Sequence, residues 1–368
     1  MSKIFRPFKE ADNSILAIIA ALGLFSLTML ESTAYDGGFV MARCVTIQLI
    51  AYLIGFVIII AIQHIDYRFL LGAEKALYVF GILILLSVYI PGLGVELYGS
   101  RAWISLGFTT LQPSEFVKII FVLLNASFLV DHQSELKSFI GVVKSALFAA
   151  PMIVIVLKED LGSALVYMVM WIMMIFFAGI DYKVLFRSIL LVALAIPVAY
   201  KFLAEYQKAR IEAFLHPDNL GLPGNYNVWQ SKVAIGSGGV FGKGLFHGTQ
   251  KSLDFIPVQQ SDFIFSVVGE ELGLIGGLLL IILYSFLFLR LTKIIRNSED
   301  LYGTLIVIGF TGMFLFQVFE NIAMTMGLMP VTGITLPFMS GGGTSVIASM
   351  IAIGIVMNIG VNSKSITF

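Results

Sequence analysis

Long apolar runs alternate with short polar segments along most of the chain. Ten of these runs approach the ~20 residues that a helix needs to cross the hydrocarbon of a bilayer. They cover residues 14–31, 46–63, 77–95, 115–130, 139–157, 161–179, 184–200, 263–291, 302–325 and 344–361. The pattern predicts an all-α polytopic membrane protein with about ten transmembrane helices in a single integral membrane domain, residues 1–368. Nine or eleven spans are the alternatives.

Basic residues predict the orientation of these spans. If the N-terminus lies inside, the cytoplasmic segments contain Lys3, Arg6, Lys9, Arg68, Lys75, Lys137, Lys144, Lys183, Arg187, Arg290, Lys293, Arg296 and Lys364. The short outer segments then contain only Arg43, Arg101, Lys118 and Lys158. Lys and Arg are in excess on the cytoplasmic side of membrane proteins. We therefore expect cytoplasmic termini and a large outer loop, about 201–262, between spans seven and eight.

Composition supports a membrane protein and excludes two other features. Hydrophobic residues make up 58% of the 368 positions, charged residues 12%, and the mean hydropathy is +0.94. Soluble domains carry about 25% charged residues. A net charge of zero argues against a nucleic-acid partner, and the single cysteine, Cys44, excludes an internal disulfide. No small-residue cleavage site follows the first run, which we interpret as an uncleaved span.

The outer loop is too apolar to be a linker. Its part from Gly224 to Gln250 mixes glycines with aromatic and aliphatic residues, whereas disordered segments are poor in large apolar groups. The stretch from Gln230 to Ile235 predicts a short interfacial helix that ends at a glycine. A flexible cluster of turns is the alternative interpretation.

A polar stripe begins at Pro113. This proline and Glu115 suit the first turn of a helix, but a helix start does not explain Lys118 one turn later. Glu115, Lys118 and Asn125 share one helical face, and such a face must meet protein or water rather than lipid. We expect a functional cavity here, with a structural ion pair as the alternative.

Three acids lie at the start of the eighth run. A helix beginning near Asp262 places Ser266, Gly269, Gly273 and Gly276 on one face, which predicts a seam for close helix packing. Asp262 is either a helix N-cap or a catalytic group. Glu270 and Glu271 lie about 12–14 Å further along the axis, where an acid must be protonated, paired or solvated.

Two further segments carry unusual residues. A tight hairpin at 157–161 contains Asp160, and the segment after Glu320 contains Pro330, Pro337 and the glycines 341–343. Such breakers at membrane depth predict irregular backbone that is buried in protein or lines a cavity. The four histidines have no ligand spacing, so we expect no structural metal site.

Several of these motifs resemble those of one known family. They are Arg101-Ala102-Trp103-Ile104, Gln112-Pro113-Ser114-Glu115, Asp160-Leu161-Gly162, the stretch Gly236 to Gly244, Ser261-Asp262-Phe263-Ile264-Phe265, Gly269-Glu270-Glu271-Leu272-Gly273 and Pro330 to Ser345. Their order over nearly the whole chain is similar to that of the SEDS cell-wall polymerases, the RodA/FtsW/SpoVE group. Gly248-Thr249-Gln250 and the short tails resemble the RodA (elongation) branch more than the division branch.

The resemblance implies a function and a set of site residues. The expected activity is an inverting glycosyltransferase that polymerises lipid II, an undecaprenyl-diphosphate disaccharide-pentapeptide, into β-1,4 glycan strands outside the cytoplasmic membrane. Asp262 is expected to be the catalytic base. The expected substrate-binding residues are Arg101, Trp103, Glu115, Lys118, Asp160, Arg210, Lys243 and Ser340, the four basic ones as partners of the diphosphate. Whether a divalent cation (Mg²⁺ or Mn²⁺) takes part is left open.

The chain also departs from the family pattern. Pro257-Val258, Gln260-Ser261, Lys158-Glu159 and Gly341 replace the family's usual residues, which affects substrate positioning more than the reaction itself. The alternatives to an elongation polymerase are a lipid-linked precursor flippase, a division-type polymerase and a non-catalytic scaffold.

The resemblance also implies a partner, a class B penicillin-binding protein transpeptidase. We expect it to dock on spans eight and nine and the outer loop, where Phe255 and Ile256 are predicted to be exposed.

Overall fold

The computed structural model describes residues 12–35, 42–97, 100–105, 107, 110–253 and 255–362. Its helices, in chain order, are α1 (Asn13–Ala34), α2 (Arg43–Ile62), α3 (Glu74–Leu86), α4 (Pro113–Asp131), α5 (Phe139–Glu159), α6 (Leu161–Phe177), α7 (Tyr182–Phe202), α8 (Glu205–Leu215), α9 (Asn225–Gly238), α10 (Thr249–Ser252), α11 (Ile264–Asn297), α12 (Leu301–Thr325) and α13 (Gly343–Asn362). Short 3-10 helices cover Tyr67–Leu70, Ser87–Tyr89 and Gln133–Lys137.

Each predicted run overlaps one helix of the structure, namely α1 to α7 and α11 to α13. Within the described residues, α1, α2, α4, α5, α11, α12 and α13 are long and apolar enough to cross a membrane, and α6 is apolar but shorter. The chain is therefore a multi-pass membrane protein. Ten crossings and cytoplasmic termini stay predictions. Four residues that carry the orientation prediction, Lys3, Arg6, Lys9 and Lys364, lie outside the described residues.

The third predicted run ends earlier than expected and leads into a small sheet. Helix α3 has 13 residues and continues as the 3-10 helix Ser87–Tyr89. Pro91 and Gly92, the latter with a φ of 86°, then turn the chain. Strands β1 (Gly94–Leu97), β2 (Ser100–Ser105) and β3 (Thr110–Leu111) form an antiparallel sheet in the order β1-β2-β3. The expectation of an all-α fold is wrong at this sheet.

The sheet is joined to the helices at Gly94. A Cβ at this position would lie 1.7 Å from the carbonyl oxygen of Val88, so only glycine permits the strand to approach. The backbone N–H of Arg101 in β2 donates to the Glu159 carboxylate at the end of α5, over 3.0 Å. The sheet is thereby held beside the α5–α6 hairpin, which carries Asp160.

The outer loop is folded, as its composition predicts. Helix α9 contains the predicted interfacial helix and extends it at both ends, and Gly239 ends it with a φ of 56°. Helix α9 packs along α11 so closely that a Cβ on Gly238 would lie 2.0 Å from the Gly269 carbonyl oxygen. The predicted seam is therefore confirmed at Gly269, and its partner is the outer helix α9.

Further along, the seam prediction is wrong because α11 is broken at Gly273. This residue has φ 64° and ψ −157°, outside the helical region. The backbone groups freed by the break bond to the loop after α9: Leu274 N–H to Gly239 O (2.9 Å), Ile275 N–H to Val240 O (3.2 Å), Lys243 N–H to Glu270 O (2.9 Å) and Gly244 N–H to Glu271 O (3.0 Å). Glycine is required here by the positive φ and by the passing loop.

The segment between α12 and α13 is irregular, as predicted, and its core half is buried. Four successive carbonyls accept side-chain hydrogen bonds from three helices. The donors are Tyr284 Oη to Pro337 (2.5 Å), Tyr52 Oη to Phe338, Ser26 Oγ to Met339 (2.8 Å) and Gln48 Nε2 to Ser340 (3.0 Å). Because an unpaired buried carbonyl is costly, these donors make a non-helical backbone stable between apolar helices.

Candidate functional site

Asp262 lies in a turn directly before α11 and does not cap it. Phe263 occupies the N-cap position without a side-chain cap bond. The Asp262 carboxylate instead accepts from Ser261 Oγ over 2.9 Å, while its carbonyl accepts from Asn321 Nδ2, also over 2.9 Å. The N-cap alternative from the sequence is therefore wrong, and the carboxylate is available for another role.

Charged groups from three other elements surround Asp262. Burial raises the pKa of this carboxyl, the hydrogen bond from Ser261 and the charge of Arg210 lower it, and the charge of Asp160 raises it, with a net rise. Glu320 of α12 also interacts electrostatically with Asp262, Asp160 and Arg210. The structure thus brings together three of the predicted site residues, Asp160, Arg210 and Asp262.

Arg210 reaches the site from helix α8, in the segment between α7 and α11. Its Nη1 donates to the Thr332 carbonyl over 3.0 Å, and its guanidinium carbon lies 5.8 Å from the centroid of the Tyr206 ring. The next residue, Gly333, is beside Asp262: a Cβ there would be 3.5 Å from Asp262 Oδ2. The segment 332–334 therefore separates and orients the guanidinium and the carboxylate.

Asp160 caps a helix and also lines a cleft. Its Oδ1 caps α6 by accepting from the Ser163 N–H (3.0 Å), and its Oδ2 accepts from Ser163 Oγ (2.6 Å) and Gln112 Nε2 (3.1 Å). It also lines a small cleft that extends to strand β2 at Ala102. The cleft is lined by Leu85, Val88, Tyr89, Ala102, Pro113, Ser114, Ile155, Val156, Glu159 and Asp160.

Arg101 and Trp103 lie on strand β2 on either side of Ala102, which lines the cleft, and their side chains point to the other face of the strand. Arg101 is partly buried, and its charge acts on Tyr89, whose Oη donates to the Glu159 carboxylate over 2.6 Å. Trp103 is partly buried and pairs with Val95 of β1. Strand β2 is thus held next to the α5–α6 hairpin that carries Asp160. Contact of Arg101 and Trp103 with substrate stays a prediction.

Glu115 and Lys118 form a buried ion pair. The Lys118 Nζ lies 2.5 Å from Glu115 Oε1, and Lys118 is only 1% exposed. Tyr167 closes this region from α6 by donating to the Ser114 carbonyl. The geometry favours the structural alternative over the cavity, because an ammonium buried against its counter-ion is not exposed to a diphosphate.

Lys243 is also held away from the Asp262 site. Its Nζ lies 2.7 Å from Glu270 Oε1 and 2.6 Å from Thr249 Oγ1. The neighbouring acid is paired in the same way: Lys251 Nζ lies 2.6 Å from Glu271 Oε1. The expectation that Glu270 and Glu271 must be paired, protonated or solvated is met by pairing. Lys243 thus has a counter-ion, and its contact with the diphosphate stays a prediction. The pairing of Lys251 with Glu271 was not predicted from the sequence.

Ser340 is a structural residue rather than a substrate contact. It is 1% exposed, and its hydroxyl donates to the Ser261 carbonyl (2.5 Å) and accepts from the Leu336 N–H (2.8 Å). The hydroxyl's one donor and one of its two acceptor sites are thus used. Ser340 therefore fixes the turn before Asp262 from behind.

Glu320, Asn321 and Thr332 are site residues that the sequence analysis did not select. Each is at most 3% exposed. A signal existed, since an acid and an amide stand together at the end of an apolar helix, but the sequence does not show that the later irregular segment folds back onto them.

The described residues do not offer a divalent cation a site of its own. Among them, no group of three or more His, Cys, Asp or Glu could hold a metal ion.

The chain is similar to proteins of one family over nearly its whole length. The family model FTSW_RODA_SPOVE, described as "Cell cycle protein", matches residues 11–365. Stage V sporulation protein E of Bacillus subtilis is 36% identical over 95% of this chain and 97% of the relative. Peptidoglycan glycosyltransferase MrdB of Escherichia coli is 34% identical, covering 99% and 97%.

Solved structures agree with this similarity. The rod shape determining protein RodA of Thermus thermophilus is 28% identical with a TM-score of 0.70, covering 96% of this chain and 98% of that one. A chain from "Structural coordination of polymerization and crosslinking by a peptidoglycan synthase complex" is 29% identical with a TM-score of 0.80, covering 96% and 99%. The family resemblance seen in the motifs is confirmed: the chain belongs to the FtsW/RodA/SpoVE (SEDS) family.

Proposed function

We propose that the chain is a peptidoglycan glycosyltransferase that polymerises lipid II into β-1,4 glycan strands during cell elongation. Relatives named peptidoglycan glycosyltransferase, MrdB among them, support the activity. The observation that carries the proposal is the position of Asp262: a partly buried carboxylate that caps no helix, has a raised pKa and lies within electrostatic range of the Arg210 guanidinium. The elongation role rests on the RodA-like motif around Thr249.

The chemistry of this reaction matches one base and one cation. The acceptor sugar's hydroxyl attacks the anomeric carbon of the donor, the carbon–oxygen bond to the diphosphate breaks, and the hydroxyl proton passes to the Asp262 carboxylate. A diphosphate is a good leaving group, so no second carboxyl has to act as acid, in contrast to a glycosidase. A raised pKa makes Asp262 a stronger proton acceptor. A single displacement inverts an α-linked donor to a β bond.

Arg210 is the cation that best fits the departing diphosphate. A guanidinium binds phosphate oxygens in a bidentate manner, and positive charge that meets developing negative charge lowers the barrier. Lys118 and Lys243 are occupied by Glu115 and Glu270. In this proposal Arg101 remains as a second basic contact at the edge of the cleft.

The charges on α11 support a site on the outer face of the cytoplasmic membrane. Between Glu271 and Arg290 the helix has no charged residue, and these 18 positions, 272–289, span about 27 Å. With Arg290, Lys293 and Arg296 on the cytoplasmic side, the pairs of Glu270 and Glu271 lie at the outer boundary of the hydrocarbon. Asp262 then lies outside it, level with the headgroup of a lipid-linked donor.

We also propose a class B penicillin-binding protein as partner. One similar solved structure concerns polymerisation and crosslinking by a synthase complex. Helices α11 and α12 expose apolar side chains such as Leu278 and Phe319, which would suit a single-span partner. The predicted exposure holds for Phe255, which is 39% exposed, but not for Ile256, which is 2% exposed and packs inside the loop.

The test is glycan synthesis by the purified protein in liposomes that contain lipid II, with and without the partner. We expect polymer from the wild type and none above background from Asp262→Asn. Equal polymer from both proteins would overturn the assignment of the base. Transfer of lipid II across the bilayer without polymer would favour the flippase instead.

A further inference from the structure

The end of α12 carries two adjacent polar side chains that are completely buried, Glu320 and Asn321, each 0% exposed. Asn321 Nδ2 donates to the carbonyl of Ile334 over 2.8 Å. Glu320 Oε1 accepts a hydrogen bond from the hydroxyl of Thr332. These two residues of one helix therefore hold the irregular segment on both sides of Gly333.

The held segment is the one that meets Arg210. The Thr332 hydroxyl is bound by Glu320, and the Thr332 carbonyl accepts from Arg210 Nη1 over 3.0 Å. The contacts thus run from the carboxylate through one threonine to the guanidinium. Gly333 has a φ of 77° and no side chain, so the direction of that carbonyl depends on what holds Thr332 and Ile334 on either side of the glycine.

Burial of the Glu320 carboxyl lowers the stability of the fold, which suggests that its contacts serve such a role. No basic side chain forms an ion pair with it among the described residues, and its second oxygen, Oε2, has no hydrogen-bond partner there. A buried carboxyl without a counter-ion destabilises a fold, and an apolar residue of similar volume is often better tolerated. The acid at this position is therefore accounted for by what it contacts rather than by the packing of α12.

We propose that Glu320 is a positioning residue of the glycosyltransferase site, which through Thr332 holds the Arg210 guanidinium in place for the diphosphate of the lipid-linked donor. This inference rests on the proposed function. Glu320 does not touch the substrate itself. Its loss should therefore weaken donor binding more than the rate of the bound complex.

Two pairs of variants test the two ends of the contact. Thr332→Val removes the hydroxyl at constant shape and Glu320→Leu removes the acceptor. Each should raise the KM for lipid II by up to about 10-fold, the effect of losing one buried hydrogen bond, with a smaller change in kcat. Thr332→Ser and Glu320→Gln keep a donor and an acceptor, so each should return KM to within about 3-fold of the wild-type value.

A second background separates positioning from simple destabilisation. If Glu320 acts through Arg210, then Glu320→Leu should not weaken equilibrium binding of lipid II any further in an Arg210→Gln protein. Gln317→Leu is the matched control: it removes a buried polar group from the same helix, one turn away, and should leave lipid II binding unchanged. All variants are compared at equal amounts of folded protein.

The outcomes distinguish this inference from the proposed function. Absence of glycan synthesis by the wild type would overturn the function itself. An active wild type with normal KM and binding in both Thr332→Val and Glu320→Leu would overturn the positioning role alone. An equal loss of binding from Glu320→Leu with and without Arg210 would also overturn it, because the two residues would then act independently. If Glu320→Leu does not fold, Thr332→Val decides the matter.

Discussion

The side-chain amide of Asn321 binds the backbone carbonyl of Asp262 rather than the Asp262 carboxylate. The amide nitrogen of Asn321 lies 2.9 Å from the Asp262 carbonyl oxygen, and the same nitrogen lies 2.8 Å from the Ile334 carbonyl oxygen. One buried amide thus joins the turn before α11 to the irregular segment after α12. The Asp262 carboxylate is fixed in position without being consumed by the contact that fixes it.

Asp262→Asn should therefore abolish catalysis without affecting the fold. The side chain caps no helix, and asparagine keeps an oxygen that can accept from Ser261, but it cannot take a proton. We expect glycan synthesis to fall by on the order of 10²-fold or more, with an unchanged melting temperature in detergent. Polymer yield from equal amounts of folded protein is the measurement. A variant with near-normal yield would show that another group is the base.

The pH dependence of polymerisation should report the neighbours of Asp262. Activity requires the ionised carboxylate, so it is lost as the pH falls through the pKa of Asp262. This pKa is raised, which places the acidic limb at a higher pH than for an ordinary aspartate. Asp160→Asn removes a charge that raises the pKa, so the limb should move to lower pH. Ser261→Ala removes a hydrogen bond that lowers it, so the limb should move to higher pH.

The opposite directions are the control for this experiment. Any general weakening of the protein would lower activity at all pH values, or would shift the acidic limb in the same direction in both variants. Asparagine at position 160 can still cap α6, since it is as good an N-cap residue as aspartate. Shifts of the same sign in Asp160→Asn and Ser261→Ala would contradict the assignment of the limb to Asp262.

The sequence predicted the elements better than it predicted the partners of charged residues. The apolar runs locate the helices because burial of apolar surface in lipid leaves a continuous signal. Asp262 and Asp160 stand in short motifs and were identified. Lys243 was assigned to substrate because its partner, Glu270, is 27 positions away, and no periodicity connects a loop lysine to an acid on a later helix.

The break at Gly273 shows the same limit. A regular spacing of small residues predicts a straight packing face, and the face is real as far as Gly269. Beyond it, the loop after α9 inserts its backbone into α11. Such an insertion depends on the path of an irregular segment, for which the sequence carries no periodic signal.

Removal of either partner from the buried ion pair of Glu115 and Lys118 should destabilise the protein. Lys118→Met leaves a buried carboxylate without its counter-ion, and Glu115→Gln leaves a buried ammonium without its own. Each change should destabilise the protein by about 3–5 kcal/mol. The double variant should lose less than the sum of the two, which thermal melts of all four proteins in detergent will show. Additive losses would mean that the pair is not coupled.

Gly273→Ala should destabilise the join between α11 and the outer loop. The residue has φ 64° and ψ −157°, a region essentially restricted to glycine, where another residue costs about 1–3 kcal/mol. A Cβ would also lie 2.4 Å from the Gly242 amide nitrogen, so the loop that pairs Lys243 with Glu270 would have to move.

Gly236→Ala is the matched control, because Gly236 lies in α9 where an added Cβ would meet no neighbouring atom within 4 Å. Alanine is the better helix former by about 0.8–1.0 kcal/mol, so Gly236→Ala should melt at or above the wild-type temperature while Gly273→Ala melts well below it. Equal melting temperatures for the two variants would mean that α11 straightens at little cost and that the inserted loop is not needed to stabilise it.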